Sequence, residues 1–128
     1  MNAYGAAWVS AFNYSWEGLT VPVPGAYIIH QITSSGLNIS WEEAWYTPSA
    51  SVPGAIWGTN ICNWRFDFQN RSSIDGSIKQ TWSGLTQPGC NTLNVKRAIS
   101  NIKPSNGLQC ARLFTNGVFR GEQCHSVH

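Results

Sequence analysis

Three histidines, four cysteines and six carboxylates are the side chains with which this 128-residue chain could do chemistry, and their spacing supports little catalysis. The histidines stand at 30, 125 and 128, and there is no Gly-x-Ser-x-Gly elbow, no His-Glu-x-x-His and no glycine-rich phosphate loop. The usual arrangements for activating a nucleophile or holding a metal therefore lack an anchor. His30 alternates with Ile28 and Ile32 and reads as an ordinary packed or edge histidine. His125 and His128 sit at a chain end, where two ligands do not make a metal site. Glu42 and Glu43 are adjacent, so their side chains point apart in either a helix or a strand and cannot face each other as a glycosidase pair must. Asp67 stands two residues from Arg65, close enough for a surface ion pair. A hydrolase is conceivable only through carboxylates gathered by the fold. No catalytic residue, metal or cofactor is assigned, and the chain reads as a non-enzyme.

The cysteines, at 62, 90, 110 and 124, show neither a Cys-x-x-Cys pair nor compact zinc-ligand spacing. An even number in a small chain rich in Gly, Asn and Ser fits disulfides formed in an oxidising compartment. Of the three formal connectivities, Cys62–Cys90 with Cys110–Cys124 is favoured, because each bridge would tie neighbouring strands. A secreted, extracellular location follows as an expectation. Met1 before Asn-Ala-Tyr reads as an initiator placed ahead of a mature segment whose export signal has been removed, and no apolar run reaches membrane-spanning length.

Binding has more material than catalysis. Seven Trp, five Phe and four Tyr exceed what one small core obviously needs, and Trp and Tyr give large, rigid contact area at low entropic cost. Trp64 and Trp82 are expected inside. Trp41, Trp45 and Trp57 lie in or beside an irregular middle and could offer an aromatic platform to a sugar ring. The apolar stretch that carries Trp8, Phe12, Tyr14 and Trp16 is the second candidate, since an extended arm can add itself to a partner as a strand. Residues 1–16 are thus either a docking arm or a first strand, ahead of a single domain at 17–128.

The elements that would position these groups are strands. Alternation from Trp8 to Trp16 suggests one half-buried strand, with only Ser10 interrupting its apolar face. Val21-Pro22-Val23-Pro24 reads as an edge or connector, because each proline removes a ladder donor. Ala26 to Thr33 reads as a strand. Ser40-Trp41-Glu42-Glu43 has capping-box spacing for a short helix through Tyr46, with one strand from Leu37 to Thr47 as the alternative. Thr47 to Thr59 reads as loop. Ile61 to Gln69 alternates cleanly, with Trp64, Phe66 and Phe68 on its core side, and should pair with Ser77 to Ser83 across Asp75-Gly76. A further strand is expected from Leu93 to Ile99. Asn116-Gly117 marks a type I′ hairpin turn between Cys110–Thr115 and Val118–Cys124. A bulge at Gly121 would bring Cys110 opposite Cys124. The whole is read as all-β, an antiparallel sandwich of about seven short strands with two disulfides, or alternatively a small barrel.

Net charge is +2, divided as −2 over residues 1–72 and +4 over residues 73–128. That is too little for a nucleic-acid footprint. Phe12-Asn13-Tyr14-Ser15-Trp16 with Val21-Pro22-Val23-Pro24, Cys62-Asn63-Trp64-Arg65-Phe66-Asp67-Phe68, and Cys110-Ala111-Arg112-Leu113-Phe114 with Asn116-Gly117 and Gln123-Cys124-His125 resemble small exported proteins of filamentous actinobacteria. The likeness runs over most of the chain and is greatest to the small adaptor subunit of umbrella toxin particles, secreted antibacterial assemblies. It implies a protein-bridging role between larger secreted subunits, with the N-terminal arm as a docking element. A lectin-like module that binds glycans is the alternative, and a small secreted enzyme inhibitor or hydrolase a further one.

Overall fold

The computed structural model describes residues 2–16, 18–23, 25–47, 61–91 and 95–128, with residues 14–16, 21, 22 and 88–91 described by their backbone alone. Eleven strands are present among them: β1 (Asn2–Val9), β2 (Phe12–Trp16), β3 (Leu19–Val23), β4 (Ala26–Ser35), β5 (Asn38–Thr47), β6 (Ile61–Arg71), β7 (Ile78–Trp82), β8 (Gln87–Asn91), β9 (Lys96–Ile102), β10 (Gly107–Thr115) and β11 (Val118–Val127). The first sheet has the order β1-β4-β5-β9, the second β11-β10-β6-β7 with β8 also on β6, and β2-β3 form a separate ribbon. Every pairing is antiparallel and no barrel is closed. No described helix is long and apolar enough to cross a membrane.

The all-β, sandwich-like reading stands, but eleven strands replace seven, for local reasons. The expected strand from Trp8 to Trp16 breaks at Ser10-Ala11 into β1 and β2, and β1 reaches back to Asn2. The inner face of β1 is Ala3, Gly5, Ala7 and Val9, small residues with a faint hydrophobic period. A Cβ on Gly5 would collide with Gln123 of β11 and lie 2.9 Å from His125 Cε1, so this face is small because the facing strand fills the space. Strand β8 contains Pro88 and Gly89, breakers in sequence, yet among the described residues it pairs with β6 alone and so tolerates a missing ladder donor. The expected strand from Leu93 begins instead at Lys96. Residues 40–46 are strand, not helix.

The core lies between the two main sheets. Ala26, Ile28, Ala44 and Tyr46 of the first pack against Trp64, Phe66, Phe68, Ala111 and Leu113 of the second, with Phe12 and Trp82 partly buried at the margins. Burying side chains of this size stabilises by about 1.5–3 kcal/mol each. The last hairpin has the expected register, with Thr115 opposite Val118 and Cys110 opposite Cys124; the bulge that absorbs the offset leaves Arg120, beside Gly121, as the extra residue. Asn116 and Gly117 both take positive φ, as a type I′ turn demands. Cys110 and Cys124 form a disulfide. One bridge, not two, is described: Cys62 and Cys90 are register partners, the Cys90 side chain lies outside the described set, and no described cysteine is free.

Candidate functional site

Between the sheets runs a polar network. Positions 28, 30 and 32 of β4 face inward, as do 42, 44 and 46 of β5, so the period of two places His30 and Glu42 on one buried face. Both side chains are fully buried, with His30 Nε2 2.6 Å from Glu42 Oε2. His30 Nδ1 donates to Gln123 Oε1 at 3.0 Å, and Gln109 Nε2 donates to Glu42 Oε1 at 2.9 Å. His125 Nε2 donates to the His30 carbonyl at 2.9 Å, with the two imidazoles stacked 5.0 Å apart. Phe68 of the opposite sheet stacks on His30 at 6.1 Å.

Both ring nitrogens of His30 face oxygen acceptors. Burial holds the His125 imidazole below its ordinary value; the bond to the His30 carbonyl and the charge of Glu42 oppose that shift, and His30 adds to it. His30 and Glu42, at the centre of the network, are both fully buried. The network fixes how the sheets meet.

Glu43 faces out opposite Gln31 and Ala98, so the two glutamates do point apart. Arg65 Nε donates to Asp67 Oδ1 at 3.1 Å, the pair expected from their spacing. Asn70 is buried and bonded to Ser105 and Leu108. Among the described residues the one close grouping of metal-ligand types is Cys110, Glu122 and Cys124, and its sulfurs are already joined.

The aromatic candidates converge on a different surface. Register puts Tyr4 and Trp8 of β1, Tyr27 and Ile29 of β4, and Trp41 and Trp45 of β5 on the outer face of the first sheet. Trp8 meets Tyr27 edge-on at 5.1 Å, and Tyr4 lies 6.4 Å from Trp45. Trp8 is 58 % exposed, Tyr4 52 % and Trp41 44 %, whereas Trp45 is only 9 % exposed. The arm candidate and the sugar-platform candidate thus share one face. No family model, curated protein or solved structure matches this chain.

Phe12 is half-buried beneath Arg120, whose guanidinium lies 4.1 Å from the ring centroid, and so belongs to the end of the core. Trp57 and the side chains of Tyr14 and Trp16 lie outside the described residues. Sequence reading missed Glu42 as the partner of His30, and it missed Tyr4. The signal for Glu42 was available, since a histidine on the apolar face Ile28-His30-Ile32 demands a polar neighbour.

Proposed function

We propose that this chain is an exported, non-enzymatic binding module that bridges larger secreted protein subunits, docking through β1, the terminal strand of its sheet among the described residues, and the aromatic face beside it. The carrying observation is that Tyr4 and Trp8 stand exposed on a terminal strand and face the same way as Trp41. A partner strand can add to a terminal strand by main-chain pairing, while exposed Trp and Tyr supply anchors. The resemblance to umbrella-particle adaptors points the same way, as does the full burial of the His30–Glu42 pair. A second bridge, Cys62–Cys90, belongs to the same reading and accords with export.

The test is recovery of partners from secreting-culture supernatant by the tagged full chain. Deleting residues 1–16 would strip β1 from its sheet, so surface substitutions are cleaner. Trp8→Asp with Tyr4→Asp should abolish recovery of defined secreted proteins, while Ile74→Ser, at an exposed turn, should leave it intact. Recovery unchanged by the double substitution overturns the proposal. So does glycan binding that disappears in Trp41→Ala while no protein is recovered, which would make the chain a lectin.

A further inference from the structure

The opposite flank of the sandwich carries a cleft of about 430 Å³ where β9 faces β6 and β8, away from the docking surface just described. Trp64 and Phe66 form an apolar floor, Leu85 and Gln87 one wall, and Lys96 and Arg97 the other. Leu85 is 84 % exposed at the rim, an apolar side chain that the fold itself does not use. The Arg97 guanidinium is held in place. Its Nη1 donates to the Phe66 and Trp82 carbonyls at 2.9 and 2.8 Å, and it lies 5.2 Å from the Phe68 ring centroid. Gly84 closes in behind it, since a Cβ there would strike the Phe66 carbonyl and sit 3.3 Å from Nη1.

What Arg97 lacks is a counter-ion. Among the described residues no carboxylate comes within ion-pair distance, and no hydrogen bond uses its Nε or Nη2. Asp67 and Glu42 act on it only at longer range, against the burial that depresses its value. A half-buried cation without a partner is costly. A planar guanidinium with the donors of two nitrogens unused is the geometry that receives a carboxylate. The Trp64 indole N–H, in the same wall, is also shielded and without an acceptor. Cation, unused donors and apolar floor lie together in one concavity, as in small-molecule sites.

We propose that this cleft binds a small carboxylate with an apolar body, its carboxylate on Arg97 and Lys96 and its hydrocarbon part on Trp64, Phe66 and Leu85. Titration of the full chain with benzoate and with hexanoate, followed by proton–nitrogen NMR, tests it. Benzyl alcohol and benzylamine serve as neutral and cationic controls. Saturable shifts are expected at the Trp64 indole N–H and the Arg97 Nε–H with both acids. Benzyl alcohol should bind roughly ten- to a hundredfold more weakly, the worth of a charge-assisted hydrogen bond. Arg97→Gln should abolish the shift at Trp64. Because Arg97 also anchors two carbonyls, Leu85→Asp at the exposed rim provides a second variant that spares the fold, and it should repel both acids. The proposal is overturned by an absence of saturable shifts with either acid, by equal binding of benzoate and benzyl alcohol, or by undiminished acid binding in Leu85→Asp.

Discussion

Replacing Glu42 with leucine conserves side-chain bulk but leaves His30 Nε2 without its carboxylate and Gln109 Nε2 without an acceptor. Both members of the pair are fully buried, so water cannot substitute for the lost oxygen atoms. Leaving a buried polar group without its partner costs about 1–3 kcal/mol, and two are stranded here. The expected loss for Glu42→Leu is therefore about 4 kcal/mol, a large share of the roughly 5–15 kcal/mol that holds a domain of this size folded. His30→Leu should cost a similar amount, because it strands the carboxylate. The double variant His30→Leu/Glu42→Leu should cost far less than the sum, since the two desolvation penalties disappear together and leave only the Gln109 and Gln123 amides to find other partners. A double-mutant cycle by urea denaturation, read by tryptophan fluorescence with the m-value held constant, should give a coupling of at least about 2 kcal/mol. If Glu42→Leu loses less than about 1 kcal/mol, or the two changes add to within about 0.5 kcal/mol, the network does not tie the sheets together as described.

Two further expectations follow from the same strands. The depressed value of His125 means that, between it and the ordinary 6.5, the unfolded chain binds more protons than the folded one. Its contribution is therefore complete above about pH 6.5, and stability falls as the pH drops through the folded value; His125→Gln should flatten that part of the curve of urea midpoint against pH, and an unchanged slope refutes the assignment. The Cys110–Cys124 bridge spans a sequence separation of 14, so Cys110→Ser/Cys124→Ser should lower stability by about 3 kcal/mol, with a larger effect on the denatured chain than on the folded hairpin; loss below about 1 kcal/mol would show that the Asn116-Gly117 turn alone sets the register.

Local chemistry with a fixed period was readable in advance. The alternation of Cys62, Trp64, Phe66 and Phe68 defines β6, and Asn116-Gly117 sets the last hairpin to within one residue of its bulge. What escaped reading depends on partners distant in sequence. Ser40 and Glu43 satisfy the local grammar of a helix start, yet strand pairing on both sides of β5 overrides it. Tyr4 stands in a stretch whose inner residues are small because Gln123 and His125, more than a hundred positions away, occupy the space. Such a constraint leaves no mark on the local hydrophobic period.

Glu42 is the most instructive of these cases. A carboxylate in sequence is read as a solvent-seeking group, and beside Glu43 it looks like half of a charged surface patch. Once 38–47 is a strand, Glu42 must share a face with Ala44 and Tyr46, and that face is the core. The burden of a buried carboxylate is met from both sheets, by His30 on its own and by Gln109 on the other. Hydrophobic packing alone would let two flat aromatic sheets slide past each other. A hydrogen-bonded chain from β5 through β4 to β10 and β11 admits one alignment, and with it one position for β1, whose outer residues Tyr4 and Trp8 form the proposed docking edge. The same buried network thus sets the geometry of the surface through which the proposed module would be recognised.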